Sequence, residues 1–201
     1  DHPVRLTHRT GHACVLNSRA LEHIGISTST PDPTDGVIQR DESGDPTGLL
    51  LEMSTYVSQR IGNHRDDALQ GVATANNLLL SQGITSFQDA SHSNSVERFD
   101  AFCNMKLEGR LGPRVTVMPG IDHLEGFRAR GLRYGYGNLD VRLGAAKVVL
   151  TSTTGTIQPP KQVLFSQVME AQRQGYQVAL HAVDQVEVAT ASEVLAAVAA
   201  S

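Results

Sequence analysis

No apolar run of 18 residues occurs anywhere in the chain, so no membrane-spanning helix is expected. No charged-then-apolar leader opens it either. Lys and Arg form no block, and a formal net charge of −4 with a pI near 6.0 leaves no electrostatic footprint for nucleic acid. Cysteine is scarce. Cys14 and Cys103 lie far apart with no metal-ligand spacing, which predicts free core thiols in a reducing, cytoplasmic setting. There is no H-x-H pair, and no G-x-G-x-x-G follows a strand-like run, which argues against a dinucleotide-binding sheet. An initiator Met is missing before Asp1, and no capping glycine closes the alanine-rich run ASEVLAAVAAS. An internal fragment of a longer polypeptide is expected.

What is present is ordinary for a globular protein, 40% hydrophobic and 19% charged over 201 residues. Four short β-type runs recur through the second half: Ile84-Thr85-Ser86-Phe87, Arg114-Val115-Thr116-Val117-Met118, Ala146-Lys147-Val148-Val149-Leu150 and Gln177-Val178-Ala179-Leu180. Measured between Thr85, Val115, Lys147 and Ala179, they are spaced by 30, 32 and 32 residues. Helix-compatible stretches separate them. DDALQGVATANNLLLSQG is acidic at its start and ends at Gly83, NSVERFDAFCNMKLEG opens with Asn94 and Glu97 at capping-box spacing, and KQVLFSQVMEAQRQG ends at Gly175. Short apolar strands alternating with helices predict parallel βα units rather than hairpins. A (β/α)8 barrel spends roughly 31 residues per unit. The predicted class is therefore α/β, a partial (β/α)8 TIM barrel over residues 66–201, with an open doubly wound sheet as the competing architecture.

Residues 1–65 do not share the period. The stretch STPDPTDGVIQRDESGDPTGLLLE is dense in Pro, Gly and Asp, with turns expected at Asp35-Gly36 and Ser43-Gly44. Val37-Ile38-Gln39-Arg40 and Gly48-Leu49-Leu50-Leu51-Glu52 read as short strands, giving a small hairpin-bearing insertion.

In a barrel of this kind, residues at the C-terminal ends of the strands line the active site. Asp89 follows the first strand, His123 lies beyond the second, Lys147 sits within the third and His181 closes the fourth. Lys147 stands between Ala146 and Val148, where an ammonium is costly without a partner. The residues alone leave four readings of it open: a stem that snorkels to the surface, a carboxylate pair, a Schiff-base lysine, or a carbamate that ligates metal.

The motifs VRLTHRTGHACVLNSRALEHIGI, TPDPTDGVIQRDESGDPTGLLLE, GITSFQDAS, LGAAKVVL and GYQVALHAV, taken in this order, resemble the amidohydrolase superfamily. The best match is its amidohydrolase 3 group, the YtcJ-like metal-dependent hydrolases that include N-substituted formamide deformylase. The resemblance implies a metal-binding (β/α)8 barrel in which this chain supplies about strands 2–5. It implies that Lys147 is the strand-4 lysine, carboxylated by carbon dioxide, and that His181 is the strand-5 histidine. Both would be metal ligands and catalytic residues. His12 and Asp89 are the substrate-pocket candidates. A strand-1 His-x-His is expected upstream of Asp1, and a strand-6 histidine and strand-8 aspartate beyond Ser201. The chain departs from common family patterns after Lys147, where Thr151-Ser152-Thr153-Thr154-Gly155 replaces an Asp-Gly, and after His181, where the glycine of a Gly-Asp is absent.

By resemblance the cofactor is one or two divalent ions, Zn²⁺ foremost, and the substrate a small-molecule amide or N-acyl compound whose carbon–nitrogen bond is hydrolysed. No nucleic acid or membrane partner is expected, and a homodimer is left open. Two readings from other classes stand beside it: a metal-free lyase with Lys147 as Schiff base, and a degenerate barrel kept as a binding scaffold.

Overall fold

The computed structural model describes residues 2–34, 36–61 and 65–201. The chain forms two compact units, Asp1–His64 with Thr151–Gln158, and Arg65–Leu150 with Pro159–Ser201. The short segment Thr151–Gln158 thus belongs with the first unit, although the thirty-residue period assigns it to the second. Its ends bridge antiparallel, through Thr151 N–H to Gln158 O (2.9 Å) and Gln158 N–H to Thr151 O (2.8 Å).

The first unit contains β1 (Arg5–Thr7), β2 (Ala13–Leu16), α1 (Ser18–His23), β3 (Val37–Arg40), β4 (Pro46–Leu51) and α2 (Ser54–Ile61). The strands form an antiparallel sheet in the order β1-β2-β4-β3. Register places Cys14 and Ile38 on either side of Leu50, and all three are buried with Leu16, Leu21, Ile24, Met53 and Val57. A β3–β4 hairpin is present. At its turn Asp41 Oδ1 accepts the N–H groups of Ser43 and Asp45, both at 2.9 Å, and Gly44 takes φ of +87°. The other expected turn includes Asp35, which lies outside the described residues. Asn17 starts α1 by accepting the Ala20 N–H at 2.9 Å.

In the second unit, helices and parallel strands alternate: α3 (Arg65–Ser81), β5 (Ser86–Asp89), α4 (Val96–Leu107), β6 (Arg114–Val117), α5 (Leu124–Ala129), β7 (Val141–Leu143), β8 (Ala146–Val149), α6 (Lys161–Arg173), β9 (Val178–His181) and α7 (Gln185–Ala199). β5, β6 and β7 pair in parallel, as do β8 and β9. β7 and β8 are two halves of one extended run interrupted at Gly144-Ala145. Its pairing with the β6 side continues through Gly144 N–H to Val117 O (2.8 Å) and Lys147 N–H to Pro119 O (2.7 Å), with a parallel bridge between Gly120 and Lys147. The result is α/β with parallel sheets, as the alternation predicts. The β7 half carries too few residues to register as a separate strand in the sequence.

One sheet face packs under helices. Val115, Val117, Val141 and Leu143 meet Phe99 of α4 and Phe127 of α5, whose rings stack edge-on at 6.4 Å. Further along, Ala146 packs with Leu124, Ala171 and Tyr176. The capping box expected from Asn94 and Glu97 does not form. Ser95 is the N-cap of α4, and Asn94 is instead buried, with its Nδ2 donating to Asp89 O (3.2 Å) and Met118 O (3.0 Å). Its amide joins the ends of two strands, which takes the side chain away from the helix terminus. Among the described residues, no helix is long and apolar enough to cross a membrane. Both thiols are free, and burial pushes both pKa values up.

Candidate functional site

Lys147 and His181 sit on adjacent parallel strands, where Lys147 pairs with Ala179 and Val149 with His181. Register partners project to the same side and residues two apart share a face. Lys147 and His181 are therefore diagonal neighbours on one face of the β8–β9 pair. Ala146 and Val148 turn the other way, into the buried layer, and are at most 2% exposed. The backbone fixes both positions: Lys147 N–H reaches Pro119 O at 2.7 Å, and Leu150 N–H reaches His181 O at 2.9 Å.

The Lys147 side chain is half-buried, and among the described residues no carboxylate pairs with it. Desolvation alone pushes its pKa below the usual lysine value, which favours the neutral amine. A carboxylate pair, one of the readings open from the sequence, is not observed. Among the described residues no three His, Cys, Asp or Glu side chains gather to hold a metal, and two donors are fewer than the three protein ligands of an ordinary catalytic zinc site. Lys147 and His181, on one face of adjacent strands, would supply two of the donors of such a site.

Just past His181, α7 is anchored from within. Glu187 is 4% exposed, and its Oε2 accepts the N–H groups of Val183 (2.8 Å) and Asp184 (3.1 Å), completing a capping box with Asp184. The strand exit carrying the imidazole is thus held on both sides. The sequence pattern does not mark the buried Glu187, because its role depends on the backbone of the strand exit that it caps.

Asp89 lies at the same end of the sheet but on the other face. It registers with Val117, which is fully buried under the helices, so alternation turns Asp89 away from the face of Lys147 and His181. Its Oδ1 accepts the Ser91 N–H at 3.0 Å and shapes the turn leaving β5. Asp89 is not brought together with the other two.

His12 belongs to the first unit and precedes β2. Its Nδ1 meets Glu52 Oε1 at 2.8 Å and Oε2 at 3.1 Å, and the Glu52 N–H donates to His12 O at 2.7 Å. Thr151 Oγ1 donates to the same Oε1 at 2.9 Å. Glu52 has φ of +54°, the one positive value at a non-glycine residue among those described. Read as the end of an apolar strand, Glu52 showed no sign of this role, because its partners are 40 and 99 residues away in sequence.

A model described as the Amidohydrolase family matches residues 1–201. Over 52 residues the chain is 52% identical to a protein named putative amidohydrolase YtcJ from Bacillus subtilis (strain 168), covering 26% of this chain and 10% of that protein. Over 96 residues it is 34% identical to N-substituted formamide deformylase from Arthrobacter pascens, covering 45% and 18%. A solved uncharacterized metal-dependent hydrolase from Pyrococcus horikoshii OT3 superposes with a TM-score of 0.67 at 21% identity, over 98% of this chain and 42% of that one. The chain thus spans less than half the length of the relatives it matches.

Proposed function

The chain belongs to the Amidohydrolase family, and from that premise we propose that it is the strand 2–5 portion of a (β/α)8 barrel whose whole protein hydrolyses carbon–nitrogen bonds of small amides or N-acyl compounds. The observation that carries this reading is the diagonal pair of Lys147 and His181 on one sheet face, with the lysine kept toward its neutral form by burial.

In this reading Lys147 and His181 are metal ligands. A neutral Lys147 amine attacks carbon dioxide, and its proton leaves to solvent. The resulting carbamate offers oxygen donors where an ammonium offers none. His181 offers a ring nitrogen from a strand end whose backbone is hydrogen-bonded to β8. A divalent ion held by Lys147 and His181, with Zn²⁺ suited to nitrogen and oxygen donors, would supply Lewis-acid chemistry toward a substrate carbonyl and a bound water. Ligands beyond these two come from other parts of the whole protein. His12 is assigned to substrate recognition. Asp89, turned under the helices, is assigned to loop shape.

The test is metal content measured beside amide turnover in the whole protein. Lys147→Ala should lose both together, with partial rescue by short carboxylic acids that occupy the vacated space. His181→Asn should weaken metal binding less completely. A Lys147→Ala protein that keeps full metal but loses activity, with borohydride trapping of a carbonyl substrate on the wild type, would replace this reading by a Schiff-base lyase. Full metal and full turnover in Lys147→Ala would leave the lysine structural.

A further inference from the structure

The Lys147 backbone is held from two sides. Ala146 N–H donates to Gln177 O (2.8 Å) and Leu150 N–H to His181 O (2.9 Å), both on the β9 side. Lys147 N–H points the other way, to Pro119 O at 2.7 Å, and Gly120 bridges to Lys147 in parallel. Asn94 holds the residues on either side of Pro119. Its Nδ2 donates to Met118 O at 3.0 Å, and its main-chain O accepts the Gly120 N–H at 3.0 Å. The same Nδ2 reaches Asp89 O at 3.2 Å, a carbonyl that also accepts the Met118 N–H at 2.9 Å. There is no slack between the two segments, because a Cβ placed on Gly120 would fall 1.8 Å from His92 O.

Asn94 is 1% exposed, and its Oδ1 has no hydrogen-bond partner among the described residues. Burying an amide with one end unpaired costs free energy, so its presence asks for a reason. Helix capping is not that reason, since Ser95 is the N-cap of α4. What the amide supplies is its N–H donors.

We propose that Asn94 is a positioning residue for Lys147. It fixes residues 118–120 at both ends, and the Pro119 carbonyl between them sets where the lysine leaves β8. A metal ligand is only as well placed as the backbone that carries it, and the groups that support it matter for that reason. The consequence for metal rests on the reading of Lys147 as a ligand, whereas the mechanical link does not.

The experiment is amide hydrogen exchange of the 201-residue chain, read residue by residue by NMR. Asn94→Ala should speed exchange of the Lys147 amide about tenfold, the size of one lost hydrogen bond, while Ala146 and Leu150 keep their rates. A residue that only adds global stability would move all three together, and that result overturns the positioning role. If Asn94→Ala does not fold, wild type decides. The Gly120 and Lys147 amides should then share one opening, with one dependence on low urea, distinct from that of Ala146 and Leu150. Separate openings of Gly120 and Lys147, or a single opening common to all of these amides, overturns the proposal. In the whole protein, Asn94→Ala should raise the Zn²⁺ dissociation constant about tenfold. Unchanged Zn²⁺ affinity in a variant whose Lys147 amide has loosened overturns the link to metal. Full metal content in Lys147→Ala overturns the ligand reading itself and leaves the exchange result standing.

Discussion

Gly120→Ala should be among the most damaging single-methyl additions in the second unit. Gly120 has φ of −65°, which any residue adopts, so backbone strain is not the issue. The obstacle is space. A Cβ built there falls 1.8 Å from His92 O and 2.8 Å from His92 C, both backbone atoms, so no side-chain rotation relieves the overlap. The loop from 91 to 95 or the segment from 118 to 121 must move by about an ångström or more. Overpacking of this kind costs about 1–3 kcal/mol. The shift also strains the Gly120 N–H to Asn94 O bond (3.0 Å), worth about another 1 kcal/mol. The expected loss is therefore about 2–4 kcal/mol. Gly71→Ala supplies the control. Gly71 lies within α3 with no atom in the way of a Cβ, so the same substitution should stabilise by about 0.5–1 kcal/mol. Urea denaturation followed by far-UV circular dichroism measures both. A Gly120→Ala chain within 0.5 kcal/mol of wild type, by the scale of ordinary surface changes, would refute the close approach. Because Gly120 bridges to Lys147, the variant should also lower metal affinity in the whole protein.

Lys147→Met removes an amine whose pKa burial depresses. The unfolded chain holds that proton over a range where the folded chain has released it, so wild-type stability should rise with pH as it approaches the ordinary lysine value of 10.5. In metal-free protein the Met variant should lose that rise and match or exceed wild-type stability near neutral pH. Denaturation midpoints measured across pH check this, and identical slopes would refute it. Tyr176→Phe leaves Leu132 O without its 3.0 Å donor in a buried setting and should cost about 1–2 kcal/mol. The Tyr176 phenol is pushed up to about 12 by burial, so its contribution should be complete below pH 10.0 and fade between there and about 12. Ultraviolet titration of wild type against Tyr176→Phe should show one tyrosine ionising late, and an unchanged titration would refute it.

The parallel βα alternation was legible in the sequence because it is written in local terms. Apolar runs of strand length recur at a near-constant interval, glycines close the helices, and Lys147 and His181 fall at places on the third and fourth strands that spacing alone identifies. Parallel pairing in register then put those two on one face with no further information required. The tertiary structure decided what spacing could not. Asp89 stands at a strand end as the pattern says, but its register with Val117 turns it under the helices. Asn94 has the residue type and spacing of a helix cap and serves instead as a tie between two strand ends. Thr151–Gln158 leaves the repeating unit to join the first one, where Thr151 meets Glu52. Periodicity and propensity report on neighbours within a few residues, whereas a hydrogen bond spanning 40 or 99 residues, or the face a strand end presents, depends on which segments pair. The left-handed backbone of Glu52 belongs to the same class, since its own sequence prefers another conformation and only contacts from distant segments hold it there.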